Sequence, residues 1–113
     1  MAAAHYDLNI TQGNSFNVRL IAVDLNGSPY DLTNWSLRGH AKVKYSDSTA
    51  LIDLQPTKVA PYTQGFIDIS LPATFTKTLP ITEGVFDIEM FNASGFVDKL
   101  IKGYVRIFPE VTN

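Results

Sequence analysis

Hydrophobic and polar residues alternate with a period of two along most of this chain. The longest regular run covers residues 35–45, where odd positions are apolar or small and even positions are polar or charged. Successive side chains of a β-strand point to opposite faces, so this run predicts a strand with one buried face. Gly39 and Ala41 lie in the middle of its apolar row and predict the close approach of another layer.

The same alternation predicts seven strands in all, separated by turn sequences. The predicted strands cover residues 6–11, 16–22, 35–45, 51–54, 67–71, 86–90 and 96–108. Glycine and asparagine tolerate the positive φ of tight turns, and both occur between these strands. Asn26-Gly27 is one such turn, and the segment from Asn92 to Gly95 predicts a four-residue hairpin turn.

Three segments depart from the simple alternation. Leu100 and Ile101 are adjacent and both apolar, so we expect a β-bulge near Lys102-Gly103 to restore the phase of the last strand. Residues 72–79 begin with a proline and predict a single helical turn that places Phe75 and Leu79 in the core. Residues 55–64 contain two prolines and predict the longest loop.

Strands with frequent turns predict an all-β fold: a single antiparallel β-sandwich of about seven strands, immunoglobulin-like in architecture. A small barrel with the same strands is the alternative. The chain has 113 residues, of which 45% are hydrophobic and 18% charged, as is typical of one globular domain. We therefore expect residues 1–113 to form one domain.

Composition narrows the classes of partner. The absence of cysteine excludes disulfides and thiolate metal sites. A net charge of −2 with scattered basic residues is unlike a surface that binds a phosphate backbone, so nucleic acid is not an expected partner. The apolar runs are too short to cross a bilayer, and the first residues lack the features of a signal peptide. We expect synthesis in a cytoplasm and no membrane partner.

No motif predicts a catalytic, cofactor or metal site. His5 and His40 are far apart in the sequence and match no ligand spacing. The segment beginning at Asp24 starts like a calcium loop but lacks the required glutamate, which favours a plain turn. Asp87 and Glu89 share one strand face about 7 Å apart, a pair that could serve glycoside hydrolysis, but acids on an outer face are usually only solvated. We therefore predict that the protein is not an enzyme.

The aromatic residues divide by strand face. Those on predicted inward faces, and so expected in the core, are Phe16, Trp35, Tyr45, Phe75 and Phe86. Four others are hard to bury in the same register, namely Phe66, Phe91, Phe96 and Phe108. Apolar side chains on an outer face often mark a contact surface, so these four are the candidate interface residues. A different core phase and sugar stacking are the alternatives.

Several short segments carry a resemblance to a known group when taken in order along the chain. They are Thr11-Gln12-Gly13, Tyr30-Asp31-Leu32-Thr33-Asn34-Trp35, Gly84-Val85-Phe86-Asp87-Ile88-Glu89, Gly95-Phe96-Val97-Asp98-Lys99-Leu100 with Gly103, and Pro109-Glu110-Val111-Thr112. Together they resemble small β-sandwich structural proteins of tailed bacteriophages, which occur as tail-collar, baseplate or tail-fibre-attachment components. Asp31 comes directly before Leu32-Thr33 in a segment that suits a turn, and its carboxylate is expected to cap nearby backbone N–H groups there.

The resemblance implies a scaffold and no enzymatic site. We expect a virion protein that assembles with itself, as a ring or lattice, and with neighbouring virion proteins in the tail, baseplate or collar region as a fibre anchor or adaptor. A capsid decoration (cement) protein is one alternative. A carbohydrate-binding module that contacts the host is another, and it requires several outward aromatic residues with polar partners on one sheet.

Overall fold

Two β-sheets packed face to face make up the computed structural model, which describes residues 4–110. Within these residues the strands are β1 (Ala4–Thr11), β2 (Phe16–Ile21), β3 (Ser36–Lys42), β4 (Ile52–Asp53), β5 (Thr57–Lys58), β6 (Phe66–Leu71), β7 (Glu83–Phe91) and β8 (Val97–Phe108). The remaining elements are the helical turn α1 (Ala73–Thr76) and a 3₁₀ turn (Tyr62–Gln64). The all-β sandwich with a short helical turn near residues 72–79 is therefore confirmed. Residues 111–113, which include part of the segment Pro109-Glu110-Val111-Thr112, lie outside the described part.

The strand order differs from a purely antiparallel sandwich in one place. The five-stranded sheet has the order β1-β8-β7-β3-β4, and the three-stranded sheet has the order β2-β6-β5. β1 runs parallel to β8, whereas the other pairs are antiparallel. Residues 12–15 carry the chain from one sheet to the other, so β1 and β2 do not form a hairpin. β5 lies inside the segment that the sequence predicts as a loop. The sequence does not predict this strand, because its two residues are too few to show an alternation.

The core lies between the sheets and is mainly aliphatic. Its largest fully buried side chains are Leu8, Ile10, Leu32, Ile52, Leu54, Ile67, Ile69, Phe86, Ile88, Leu100, Ile101 and Val105. Phe16, Trp35 and Phe75 are half-buried and pack against this cluster, so most of the aromatic residues predicted for the core contact it. Gly39 and Ala41 are buried as predicted. A Cβ added to Gly39 would lie 3.0 Å from the Ile88 side chain of the neighbouring strand β7 and 3.4 Å from Pro56, so the tightest approach comes from the same sheet and not from another layer.

The strand predicted for residues 35–45 ends earlier than the alternation suggests. β3 ends at Lys42, and Tyr45 is 63% exposed rather than in the core, so that prediction was wrong. A turn causes the difference: the Asp47 N–H donates to the Lys44 carbonyl, and the Asp47 carboxylate accepts the Lys44 N–H at 3.1 Å. The alternation continues in the sequence after the chain has left the sheet.

The irregularity in β8 lies two residues before its predicted place. Ile88 pairs with Ile101 and Glu89 with Lys99, so Leu100 is the extra residue, and both Leu100 and Ile101 are buried. The prediction of a bulge at Lys102-Gly103 was therefore wrong in position. Gly103 serves another purpose, because a Cβ at this position would lie 1.6 Å from the Tyr6 carbonyl oxygen of β1.

Thr76 joins α1 to the turn between β1 and β2. It is the buried polar side chain of the described residues, and its hydroxyl donates to the Asn14 carbonyl at 2.8 Å and accepts the Gly13 N–H at 3.1 Å. Phe75 is half-buried and Leu79 is buried, as predicted. In the described part of the chain, no helix has the length and apolar character needed to cross a bilayer.

The contrast between Phe86 and Tyr45 can be measured. Phe86→Ala is expected to lower the free energy of unfolding by about 3–5 kcal/mol, because it empties a large site in a close-packed core. Tyr45→Ala, the matched control, is expected to change it by less than about 0.5 kcal/mol, as for other exposed positions. Urea melts of both variants give the comparison, and a large loss in Tyr45→Ala would contradict the end of β3 at Lys42.

Candidate interaction surface

The turn between β7 and β8 holds Phe96 in an exposed position. The Asn92 carbonyl accepts the Gly95 N–H at 3.1 Å, and the Asn92 side-chain oxygen accepts the N–H groups of Ser94 and Phe96, each at 3.1 Å. Gly95 has a φ of 87°, which a glycine adopts without strain. This is the hairpin turn that the sequence predicts. Phe96 is 60% exposed although its backbone is fixed by these hydrogen bonds.

Aromatic side chains surround this turn. The ring of Phe96 meets that of Trp35 edge-on, with centroids 5.7 Å apart. Phe91 lies on the outer face of the five-stranded sheet, directly opposite Val97, and the Arg38 guanidinium is 4.6 Å from its ring centroid. That distance is within the range of a cation–π interaction. We call Trp35, Phe91, Phe96 and Val97 the hairpin surface.

The other two candidate residues lie elsewhere. Phe108 is at the opposite end of β8, roughly 36 Å from Val97 at the usual rise per residue. Phe66 belongs to the three-stranded sheet, where it lies opposite Ile21 with the Arg19 guanidinium 5.6 Å from its ring. Phe91 and Phe96 therefore lie at the same end of the β7–β8 hairpin, but the four phenylalanines do not form one surface.

Sequence reasoning missed two members of the hairpin surface. Trp35 was predicted for the core and packs against it, but it is only half-buried and its ring is also edge-on to exposed Phe96. Val97 was not singled out, although it follows Phe96 directly and two adjacent apolar residues at a turn cannot both face the core. That adjacency is the signal in the sequence that could have identified it.

Charged residues form a network beside the hairpin surface. Glu89 pairs with Arg38 on β3, and the Lys99 ammonium lies 2.8 Å from Asp87 and 3.4 Å from Glu89. Burial acts to raise the pKa of Glu89, but the hydrogen bond from Arg38 and the charge of Lys99 outweigh it, and the pKa is lowered. The hydrogen bond to Asp87 raises the pKa of Lys99. Both groups of the Glu89–Lys99 pair are thus held in their charged forms at neutral pH.

A shallow depression of about 330 Å³ lies over this network. Its lining residues are His40, Lys42, Tyr45, Val85, Phe86, Asp87, Glu89 and Lys99. The two carboxylates considered for glycoside hydrolysis are therefore side by side in a concave region. A general acid in such a pair needs a raised pKa, however, and the pKa of Glu89 moves in the opposite direction.

The histidines lie apart from each other. The His5 side chain is 3.1 Å from the Asp7 carboxylate, and its ring meets that of Tyr104 edge-on with centroids 5.5 Å apart. His40 lies on β3 between Asp53 and Asp87 of the neighbouring strands. Among the described residues, no three histidine, aspartate or glutamate side chains are grouped so that they could hold a metal ion. Asp31 accepts the Thr33 N–H at 3.0 Å, which confirms its role as a cap.

Comparison with known proteins defines the class as an all-β sandwich domain. No family model matches the chain, and no curated protein matches it. It is similar to the crystal structure of the SrpA adhesin from Streptococcus sanguinis, with a TM-score of 0.50 and 12% identity over 91% of this chain and 55% of that chain.

A second solved structure, a family 123 glycoside hydrolase from Clostridium perfringens, matches with a TM-score of 0.40 and 10% identity. That match covers 97% of this chain and 24% of the hydrolase. The chain thus spans about half the length of the adhesin structure and a quarter of the hydrolase. At these identities, the adhesin match shows a shared fold only.

The pKa of Glu89 predicts part of the pH dependence of stability. Because the pKa is lower in the folded state, ionised Glu89 stabilises the fold above its unfolded pKa of about 4.3, and this contribution is lost as the pH falls through the folded pKa. Glu89→Gln is therefore expected to reduce the fall in the free energy of unfolding between about pH 6 and about pH 3 by up to about 1 kcal/mol.

The matched control is Glu83→Gln, since the Glu83 carboxylate is 77% exposed and lies 3.7 Å from Arg106. In urea melts across this pH range, the free energy of unfolding of the control is expected to depend on pH as that of the wild type does. If Glu89→Gln also shows the wild-type dependence, the Arg38–Glu89–Lys99 network does not stabilise the fold.

Proposed function

We propose that this protein is a non-enzymatic structural protein of a tailed-phage virion, which binds copies of itself and neighbouring virion proteins. Its place in the virion is the tail, baseplate or collar region, where it acts as a fibre anchor or adaptor. The observation that carries the proposal is the hairpin surface, where aromatic and aliphatic side chains are exposed on a backbone that the Asn92 turn holds in place.

The geometry of this surface suits a protein contact. Aromatic residues supply most of the energy at protein interfaces, because each one buries a large area with few rotatable bonds. Phe96 and Trp35 already contact each other, so little side-chain entropy remains to be lost when a partner covers them. Arg38, Glu89 and Lys99 border Phe91 with both signs of charge, as expected for the polar rim of an interface.

The electrostatics of the outer sheet face support a non-enzymatic role. Asp87 and Glu89 are paired with Lys99 and Arg38, and the pKa of Glu89 is lowered. Neither observation suits a residue that must donate a proton to a substrate. The phage assignment is supported by the run of short segments that resemble virion sandwich proteins, which extend along nearly the whole chain.

Carbohydrate binding is a second candidate because of a different observation. Tyr45 and Tyr104 are both exposed and line a second depression, of about 160 Å³, together with His5, Lys102 and Gly103. Exposed aromatic rings beside polar side chains are suited to stacking on sugars. Binding of the wild-type protein on a glycan array, lost in Tyr104→Ala, would favour this candidate over the scaffold.

The scaffold proposal predicts the effect of charging the hairpin surface. Phe96→Asp is expected to weaken self-association at least about tenfold, or about 1.4 kcal/mol, because a carboxylate in the centre of an apolar contact must be desolvated. The control is Leu25→Asp, since Leu25 is a turn residue that is 73% exposed and lies outside the hairpin surface. Sedimentation velocity over a wide concentration range measures association, and thermal melts show that both variants are folded.

Two results would contradict the proposal. If Phe96→Asp and Leu25→Asp weaken self-association equally, the hairpin surface is not part of the contact between copies. Absence of the protein from purified phage particles, measured by mass spectrometry, would remove the virion role.

A further inference from the structure

β1 forms one edge of the five-stranded sheet, and half of its backbone groups point away from that sheet. The Gln12 N–H donates to the Phe108 carbonyl at 3.0 Å. Backbone groups alternate along a strand, so the even-numbered residues of β1 bond to β8 and the odd-numbered ones face outward. The outward N–H and C=O groups belong to His5, Asp7 and Asn9, and they pair with no strand in the described part of the chain.

Of the four edge strands, β4 and β5 are protected in a way that β1 is not, and β2 is a shorter edge of six residues. β4 and β5 have two residues each, and Pro56 lies between them. Short edges, prolines, lysines and bulges are the usual devices that prevent strands from pairing with other chains. β1 has eight residues in continuous register with β8, and it contains no proline, lysine or bulge.

β1 is also fixed in an extended conformation to which another strand could pair. Leu8 and Ile10 are buried in the core, and the Tyr6 hydroxyl donates to the Ile21 carbonyl of β2 at 3.4 Å. These contacts fix the strand from its inner side while its outer edge stays accessible. A partner strand therefore does not have to order β1 before it binds, which lowers the cost of pairing.

We propose that β1 pairs with β1 of a second copy, antiparallel across a two-fold axis, so that two five-stranded sheets become one continuous sheet. The inference rests on the proposed self-association and specifies one of the surfaces that produce it. A two-fold contact uses the same patch on both copies, so it closes after two subunits and leaves the hairpin surface free for other contacts.

Of the registers centred on Tyr6 and on Asp7, the outward side chains of β1 favour the first. With the axis at Tyr6, His5 of each copy lies opposite Asp7 of the other, and the imidazole can donate a hydrogen bond to the carboxylate. The same two residue types already lie 3.1 Å apart within one strand. With the axis at Asp7, two carboxylates would be directly opposite each other, which is unfavourable. The complementarity of His5 and Asp7 thus favours a second copy over an unrelated strand.

The experiment exchanges these charges in the full-length chain. Asp7→Lys is expected to raise the dissociation constant of the dimer at least about tenfold, because it places a lysine opposite His5 on an edge strand. Adding His5→Asp to this variant is expected to restore the dimer, because a carboxylate then faces the introduced ammonium group across the axis. Asp53→Lys makes the same change of charge on the opposite edge strand, β4, and is expected to dimerise like the wild type.

Sedimentation velocity measures the dimer, and thermal melts show that each variant is folded. An independent measurement on the wild type is amide hydrogen exchange at Asp7, which should slow as the concentration rises, because its outward N–H becomes bonded in the dimer. This measurement does not depend on any variant.

The outcomes separate this inference from the proposed function. If the wild type associates and Phe96→Asp prevents it, but Asp7→Lys does not, the β1 contact is overturned and the scaffold proposal stands. Failure of the double variant to restore the dimer also overturns the β1 contact as proposed. A wild type that stays monomeric at every concentration overturns both the β1 contact and the proposed self-association. If β1 pairs only with a strand of a different protein, the proposal that a second copy occupies this edge is overturned.

Discussion

The close passage of β1 over Gly103 is the contact on which the arrangement of the sheets depends. The Tyr6 carbonyl lies where any side chain at position 103 would have to be. Because glycine leaves this space open, β1 can pair in parallel with β8 along its whole length and bring Leu8 and Ile10 into the core. The chain then crosses to the other sheet through residues 12–15, which Thr76 holds against α1.

This arrangement gives the surface of the molecule several distinct regions. The edges opposite β1 and β2 are the very short strands β4 and β5, whereas β1 presents a long row of backbone groups. The hairpin surface lies at one end of β8, and Phe108 lies at the other. Between them, the outer face of the sheet carries paired charges that neutralise each other. A sandwich of this kind supports several separate contacts, which suits a protein that is held by neighbours on more than one side.

Seven of the eight strands in the described residues were predictable, because one face of each is buried and the residues then alternate with a period of two. β5 was not, since it has only two residues. The predictions were wrong at two places where the alternation of apolar and polar residues does not follow the hydrogen bonding of the strands. Tyr45 continues the alternation of β3, but the Asp47 turn has already ended the strand, and hydrogen bonds of this kind leave no periodic trace. The bulge was placed at Gly103 because glycine often marks one, yet that glycine makes room for Tyr6 and the extra residue is Leu100. The first outcome is set by a local turn, whereas the second depends on β1 and β7, which are far from Leu100 or Gly103 in the sequence or joined to β8 through a turn.

The strand face of the candidate residues was predictable in the same sense, but their degree of exposure and their grouping were not: Phe96 and Phe108 are exposed, whereas Phe66 and Phe91 are half-buried. Alternation alone places Phe66, Phe91, Phe96 and Phe108 outside the core phase, because the face of a side chain is a local property of its strand. Whether two such residues meet depends on strand order and register, which bring Phe91 beside Val97 and place Phe66 on the other sheet. The sequence by itself therefore determined the two-layered β fold and the sidedness of its strands. Only the tertiary structure decided which exposed residues share a surface and which strand edge stays open, because pairing between distant segments is set by how the whole chain packs.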